Sequence, residues 1–327
     1  MRLRGAAHHP NGAVTTRGWR DRNDVGVLPV QTQTLEVELE PVLARLLDRH
    51  ISTATEWFPH EYVPWGRARD FVSREEWWDP ADCADSAARS ALFVNLLTED
   101  NLPYYFRTLS GFGRDGVWGE WTRRWTAEEG RHAIVIRDYL MVSRAIDPVA
   151  LERGRMQQVT TGVTPELDDL PDALCYTTLQ ELATRLAHRN TGNFLEDPAG
   201  QTIMARVSND ENLHYLFYRD LASAAIELDP STMVLAMDRV VRGFTMPGTG
   251  IPDYAKHARL IAAAGIYDYN IFLEKVLQPV IFTHWRLPEI EGLDAEAEHA
   301  RDRLVRYMER LKKVAARVTR SLVGTAS

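Results

Sequence analysis

The sequence predicts an all-α protein built around a four-helix bundle, and the main reason is one spacing that occurs twice. In each copy a lone glutamate stands 30 residues before a Glu-x-x-His pair: Glu99 before Glu129 and His132, and Glu181 before Glu211 and His214. Because positions i and i+3 share one face of a helix, the two residues of a pair can point at the same object. Four carboxylates and two imidazoles are the ligand set of a carboxylate-bridged pair of metal ions inside such a bundle.

The second observation is that apolar residues surround both pairs at helical intervals. The stripe through the first pair contains Trp118, Trp121, Trp125, Ile136 and Leu140, and the stripe through the second contains Met204, Val207, Tyr218 and Leu221. An acid and an imidazole in the middle of such a stripe are expected to face a core, where they need a shared partner. Solvated acidic faces with incidental histidines are the alternative, which a single pair would favour but a repeated pair does not.

The third observation is that helical patterns cover almost the whole chain. The predicted helices span residues 34–50, 84–111, 116–145, 170–193, 196–226, 229–243, 253–264, 267–279 and 294–322. The second to the fifth of these helices carry the six candidate ligands. No segment has the alternating pattern of a β-sheet, so we expect one helical domain with additional helices flanking the bundle.

Glycine, asparagine, aspartate and proline mark the ends of these helices. Gly111, Gly113 and Gly116 lie in the first short connection, Asn190, Gly192, Asp197 and Pro198 lie in the second, and Asp229 and Pro230 begin the helix after the bundle. Each short connection predicts an antiparallel hairpin. The longer link over residues 146–169 would cross between the hairpins, as in a ferritin-like bundle. Pro103, four residues after Glu99, predicts a kinked or locally reshaped helix near the metal ions.

Bulk properties exclude several classes of protein. The chain has 327 residues and a net charge of −8, which argues against nucleic-acid binding. It has no apolar run of the roughly 18 residues needed to span a membrane. Cys83 and Cys175 are the only cysteines, too few for a disulfide framework, which indicates a reducing, cytoplasmic location. We expect a flexible tail over residues 1–33 and a single domain over 34–327.

The chemistry of the six candidate ligands favours iron. Hard carboxylate oxygens with one imidazole for each metal suit iron or manganese, and the set contains no thiolate. We therefore expect two iron ions, Fe²⁺ or Fe³⁺, with manganese as the substitute that the same ligands would also hold. Four buried carboxylates without metal ions would be strongly unfavourable.

Another acid precedes the glutamate of each pair: Glu128 precedes Glu129, and Asp210 precedes Glu211. Imidazoles that bind metals usually donate their second N–H to a carboxylate. We therefore expect crossed pairs, with Asp210 accepting from His132 and Glu128 accepting from His214. The alternative is that both acids lie on the next, solvated face of their helix.

Longer segments around the ligands resemble the soluble acyl-[acyl-carrier-protein] desaturases of plant plastids and actinobacteria, particularly the mycobacterial branch. The segments that carry the resemblance are LTEDNLP (97–103), RWTAEEGRH (124–132), LQELATRLAHRNTG (179–192) and SNDENLHYLFYRD (208–220), with looser matches at WFPHEYVPW (57–65) and TMPGTGIP (245–252). The resemblance spans about residues 34–290. Gly130 stands where many relatives have asparagine, but no ligand is missing.

The resemblance implies roles for individual residues. All six candidate ligands match the family's iron ligands, and Glu129 and Glu211 match its bridging carboxylates. Thr184 matches a threonine near the oxygen-binding face, although it could also be an ordinary helix threonine bonded to its own backbone. Trp125 and Trp57 match tryptophans on an electron path, although each could be an ordinary core aromatic. The candidate residues of the substrate channel are Leu97, Tyr104, Thr184, Phe217 and Met246.

The resemblance also implies an activity: O₂-dependent desaturation of a saturated fatty acyl chain carried on acyl carrier protein, in fatty acid biosynthesis. The implied partners are ferredoxin as the electron donor, O₂, and a second copy of the chain in a homodimer. Acyl carrier protein is acidic, so basic residues could bind it. We prefer Arg239 and Arg242, because they lie within the region of resemblance. The other candidate is the cluster Arg301, Arg303, Arg306, Arg310, Lys312, Lys313, Arg317 and Arg320, which by itself is better explained as a solvated helix face.

Two other functions fit the same ligands. One is another ferritin-like diiron oxidase, a hydroxylase or N-oxygenase of specialised metabolism, because the channel and the carrier, rather than the ligands, choose the substrate. The other is a ferroxidase or iron-storage bundle, which is usually a shorter chain without helices beyond residue 230.

Overall fold

The computed structural model describes residues 30–71, 86–162, 167–245 and 248–324, and this part of the chain is helical with no β-strand. Its α-helices are α1 Val30–Thr53, α2 Pro59–Tyr62, α3 Ser86–Glu99, α4 Leu102–Leu109, α5 Gly116–Val142, α6 Pro148–Thr161, α7 Leu170–Phe194, α8 Pro198–Leu228, α9 Pro230–Gly243, α10 Tyr254–Ala263, α11 Tyr269–Phe272 and α12 Ala295–Gly324. The predicted all-α class is confirmed.

The bundle consists of α3, α5, α7 and α8. Helix α7 packs against α3 and α8, and α5 packs against the same two helices, so the four helices enclose one interior. Helix α1 lies outside this square, against α5 and α8, and α10 lies on the opposite side, against α3. The interior of the bundle is therefore covered by different helices on its two sides.

Four consecutive helices begin with the same arrangement, which explains why the starts of the three that were predicted, α7, α8 and α9, lie close to the observed ones. Asp147, Asp169, Asp197 and Asp229 precede α6, α7, α8 and α9, and each side chain accepts a backbone N–H of the first turn. Each of these helices also has a proline in its first two positions, where the missing N–H costs no hydrogen bond.

The predicted helix 84–111 is interrupted. Helix α3 ends at Glu99, and α4 starts at Leu102 with Pro103 in its first turn. A proline ring clashes with the carbonyl of the residue four positions earlier, which here is Glu99 itself. The expected kink is therefore a complete break immediately after a candidate ligand.

The link over residues 146–169 was predicted without a helix, and this was wrong, because α6 occupies most of it. Arg155 of α6 donates two hydrogen bonds to Asp100, from Nε at 2.7 Å and Nη2 at 3.0 Å. Gln158 donates to the Asn101 side chain at 3.0 Å. Side chains of α6 therefore hold Asp100 and Asn101, the two residues between α3 and α4.

The ends of the chain also differ from the prediction. Helix α1 begins at Val30, so the last four residues of the predicted tail are helical, and residues 1–29 lie outside the described part. Past α11 the chain continues through two π-helical stretches, Leu273–Leu277 and Pro279–His284, so this helical segment is longer than predicted. Among the described helices, none combines the length and the apolar character needed to cross a membrane.

Candidate metal centre

The structure brings all six candidate ligands together in the interior of the bundle. One group of four comprises Glu99, Glu129, Glu211 and His132, and a second comprises Glu129, Glu181, Glu211 and His214. Within each group the potential ligand atoms lie within 4.8 Å of one another, and every member is buried. Glu129 and Glu211 belong to both groups, which is the arrangement expected of carboxylates that bridge two metal ions.

Several polar atoms at this place have no hydrogen-bond partner. Among the described residues these include Nδ1 of His132, Nδ1 of His214, Oε1 of Glu129 and Oε2 of Glu181. Buried polar atoms are rarely left unsatisfied, and here they converge. The Nδ1 atom of His132 is 3.2 Å from Glu211 and 3.7 Å from Glu99, and that of His214 is 2.8 Å from Glu129. These residues therefore fit a pair of metal ions.

The pKa shifts at this site indicate that its buried carboxylates need positive charge nearby. Burial, together with the Glu211 carboxylate, raises the pKa of Glu181 well above its ordinary value. Burial disfavours the charged form of His132, but the hydrogen bond to Asp210 and the nearby Glu129 carboxylate raise its pKa well above the ordinary range. The carboxylates can thus share this volume only with protons or cations beside them, and metal cations would fill that need.

The two acids next to the ligands make the crossed contacts. The Nε2 atom of His214 is 2.9 Å from Oε2 of Glu128, and Nε2 of His132 is 3.4 Å from Oδ2 of Asp210. Burial opposes ionisation of Glu128, but the hydrogen bond to His214 and a second one to His50 hold its pKa well below the usual range. With Nε2 of each imidazole directed at a carboxylate, Nδ1 is the nitrogen that faces the metal centre.

Three further residues implied by the family resemblance contact this centre. The Thr184 hydroxyl donates to Oε2 of Glu211 at 2.9 Å, and Trp125 Nε1 donates to Oε1 of Glu181 at 3.0 Å. Trp57 Nε1 donates to Oδ2 of Asp210 at 2.7 Å, and its ring is parallel to that of His132. Each of these residues therefore touches a candidate ligand or the acid that holds one.

Two buried histidines near the centre were not predicted. His188 Nε2 is 2.8 Å from Oε1 of Glu99, and His50 Nε2 is 2.9 Å from Oε2 of Glu128. His188 stands seven residues, or two helical turns, after Glu181, so its shared helix face could have indicated it. His50 lies on α1, outside the repeat, and no spacing in the sequence connects it with the site.

An apolar cavity of about 290 Å³ borders the centre on the side of α10 and α11. Its wall includes Thr184, His188, Ala187, Ile261, Phe272 and Tyr269. Thr184 and His188 connect it with the ligands that they contact. Tyr269 is 44% exposed, so the cavity also reaches the surface.

Of the predicted channel residues that the structure describes, Thr184 lines this cavity, and Leu97, Tyr104 and Phe217 do not. Leu97 packs near Gly154 of α6, and the Tyr104 hydroxyl donates to the Val159 carbonyl. Phe217 stacks on Trp121, with ring centroids 3.5 Å apart. Met246 lies outside the described residues. One half of the wall is formed by residues of α3 and α7, and the other half by α10, α11 and the residues between them, which have no candidate ligands to mark them in the sequence.

Known proteins are similar to this chain in sequence, and a solved structure is similar in fold. A family model described as fatty acid desaturase matches residues 31–326. The acyl-[acyl-carrier-protein] desaturase DesA1 of Mycobacterium tuberculosis is 42% identical over 278 residues, which are 82% of each chain. A chloroplastic stearoyl-[acyl-carrier-protein] 9-desaturase 6 of Arabidopsis thaliana is 30% identical over 249 residues, covering 69% of this chain and 62% of that one.

A solved structure agrees with the described architecture. The X-ray structure of the acyl-ACP desaturase DesA2 from M. tuberculosis H37Rv has a TM-score of 0.66 and 26% identity, covering 82% of this chain and 99% of that one. The resemblance drawn from the sequence segments is thereby confirmed. Because the family model spans nearly the whole chain and DesA1 is similar over most of its length, this protein belongs to the fatty acid desaturase family.

Proposed function

We propose that this protein is an iron enzyme that introduces a double bond into a saturated fatty acyl chain carried on acyl carrier protein, in fatty acid biosynthesis. The observation that carries the proposal is the pair of four-residue ligand groups that share Glu129 and Glu211 and adjoin an apolar cavity. The names of the similar desaturases support the choice of reaction and carrier.

The atoms and electrons of the proposed desaturation balance as follows. A –CH₂–CH₂– unit, O₂, two electrons and two protons give –CH=CH– and two molecules of water. Side-chain acids and bases cannot break unactivated C–H bonds, so two bound iron ions would supply the oxygen activation and the C–H cleavage. The electrons must come from outside, and we propose ferredoxin as the donor.

The residues of this chain would contribute binding and orientation. Glu99 and His132 would hold one metal ion, Glu181 and His214 the other, and two shared glutamates would bridge them. The Thr184 hydroxyl, at the boundary between cavity and ligands, fixes the orientation of the Glu211 carboxylate. The apolar wall would bind methylene groups, each worth about 0.8 kcal/mol when buried, and exclude water from the centre.

The structure changes the preferred docking site for an acidic carrier. Arg239 is paired with Asp172 and Asp169, and Arg242 is paired with Asp238, so these cations already have partners. On α12 the exposed side chains of Arg306, Arg310 and Lys313 form no ion pair with described residues. We therefore propose α12 as the surface that attracts the carrier.

The experiment is a single-turnover and steady-state assay of the iron-loaded protein with stearoyl-acyl carrier protein, reduced ferredoxin and O₂, followed by mass spectrometry of the extracted acyl chain. E129A is the control, because it removes a shared ligand. A monounsaturated product that the control does not form supports the proposal. A hydroxylated product would instead identify another diiron oxidase.

Two further properties are proposed and are tested separately. We propose a homodimer, supported by the resemblance to desaturases, which light scattering of the purified protein would measure as twice the chain mass of 37.2 kDa. A large multi-subunit cage would instead favour iron storage. We propose a cytoplasmic location, which fractionation of the cells that produce the protein would test.

A further inference from the structure

The repeat around the ligands is longer than the Glu-x-x-His pair. In both helices an arginine stands one turn before the acid that precedes the ligand glutamate: Arg124 before Glu128, and Arg206 before Asp210. Arg124 Nε donates to Oε1 of Glu128 at 2.6 Å, and Arg206 donates to Oδ1 of Asp210. The two acids that hold the imidazoles are therefore each fixed on one oxygen by an arginine of their own helix.

The other oxygen of each acid lies close to two ring nitrogens, and that of Asp210 also accepts from Arg131 Nη2 at 3.4 Å. Oδ2 of Asp210 accepts from Trp57 at 2.7 Å and faces His132, and Oε2 of Glu128 lies 2.9 Å from both His214 and His50. His50 and Trp57 are seven residues apart, in and just after α1, so one segment outside the four bundle helices provides both groups. The His50 imidazole stands in the position that the Trp57 indole occupies on the other half of the centre.

Among the residues that the structure describes, the His50 side chain hydrogen-bonds to Glu128 alone. It is 4% exposed, and its Nδ1 atom has no hydrogen-bond partner among the described residues. Its ring is stacked on that of His214, with centroids 5.7 Å apart, and meets the edge of Trp121 at 5.0 Å. Burying an imidazole between aromatic rings costs free energy unless its polar atoms are hydrogen-bonded. The hydrogen bond to Glu128 is therefore the contact that accounts for a histidine at this position.

We propose that His50 is a positioning residue for one half of the metal centre. By occupying Oε2 of Glu128 beside His214, it fixes the carboxylate that sets the tautomer and the ring orientation of His214. The inference rests on the proposed metal pair. Loss of the His50 N–H would therefore weaken metal binding at the half that contains Glu181 and His214, and leave the half that contains Glu99 and His132 intact.

The test uses Co²⁺ titration of the full-length apoprotein, followed by proton NMR of the loaded protein. A Co²⁺-bound imidazole shifts its exchangeable N–H signal far outside the normal range, so each half of the centre reports separately. H50L should weaken one of two Co²⁺ sites by about 10- to 100-fold and broaden one of the two N–H signals. H50Q, which keeps an N–H donor, should recover most of the affinity.

Two further variants make the result specific. W57F removes the matching donor and should affect the other N–H signal, that of His132. H60L changes an exposed histidine whose side chain is outside this network and should behave as the parent protein. Circular dichroism melting curves would verify that every variant is folded.

The possible results separate the two proposals. If the parent protein does not bind two Co²⁺ ions, the metal pair itself is wrong and the role of His50 fails with it. If the parent binds two ions and H50L binds both with unchanged affinity, only the positioning role is wrong. An equal loss at both halves would also overturn it, because that result indicates general destabilisation.

Discussion

The two sides of the candidate metal centre differ in chemistry. On the side of α1, the imidazoles meet Glu128 and Asp210, whose oxygens are occupied by arginine, tryptophan and histidine donors. On the side of α10 and α11, Thr184 and His188 stand between the candidate ligands and a mainly apolar cavity lined by residues such as Ala187 and Ile261. The polar side can hold the ligands in place, and the apolar side leaves room for an alkyl chain. The two requirements of the proposed reaction are therefore met by opposite faces of one bundle.

The largest expected effect comes from removing what both sides share. E211A deletes a carboxylate that belongs to both ligand groups, so the metal pair and the desaturation activity should both be lost to background. Metal content by atomic emission and product by mass spectrometry measure the two quantities. E227A, on the same helix but outside the site, is the matched control. Retention of two tightly bound ions by E211A would contradict the assignment of the centre.

The apolar side can be blocked without touching a ligand. A187F places a large ring in the cavity, so we expect desaturation to fall by about 10-fold or more while the metal content is unchanged, with an overpacking cost of about 1–3 kcal/mol in stability. A187S, which keeps the volume nearly constant, should remain active. Full activity of A187F on the same acyl chain would show that the chain lies elsewhere.

The polar side is weakened by D210N, which removes the charge that faces His132. We expect a metal affinity about 10- to 100-fold lower at one site, with no change in the preference for acyl chain length. Competition with a chelator of known affinity measures the first quantity, and the product distribution measures the second. If D210N changed chain-length preference, the separation between the two sides would be wrong.

Thr184 lies between the apolar cavity and the candidate ligand Glu211, so its variants test where the two sides of the centre meet. T184V removes the hydroxyl that donates to Glu211 but keeps the size of the side chain, and it should cost about 0.5–1.5 kcal/mol in the interactions that orient this carboxylate. We expect a modest decrease in kcat with little change in KM. T184S should restore the parent value, and failure of that rescue would argue against a role for the hydroxyl.

The smallest effect should come from the surface. Reversing two charges of α12 in R310E/K313E should raise KM for the acyl carrier protein substrate several-fold at low salt and leave kcat unchanged. The difference should shrink as ionic strength rises, because surface charges are screened. The same double reversal at Glu296 and Glu298, to lysine, is the opposite-sign control and should not raise KM.

Local geometry explains how much the sequence could predict. The candidate ligands stand out in the sequence because i and i+3 positions share a helix face whatever the fold. The 30-residue interval corresponds to the path along one helix, around a turn and back to the same height. The bundle followed from the same repeat. The cavity could not be predicted, because the position of α10 depends on packing against α3 rather than on a sequence signal.

The missed elements have equally local reasons. In α6 only Leu151, Gly154 and Gln158 are buried, so the segment has no apolar stripe to reveal a helix. His50 is one histidine at the end of an amphipathic helix, and its partner Glu128 is 78 residues away. Spacing indicates neighbours within a helix, whereas contacts of this kind depend on which helices come together.

Because of the break between α3 and α4, the backbones of the six candidate ligands are not all restrained in the same way. Glu129, His132, Glu181, Glu211 and His214 lie within continuous helices, where backbone hydrogen bonds on both sides restrain them. Glu99 is the last residue of its helix, and beyond it the chain is held by Arg155 and Gln158 of another helix. Its backbone is thus restrained on one side by side chains of α6 and not by further turns of its own helix. The position of this candidate ligand therefore depends on the docking of α6 as well as on its own helix.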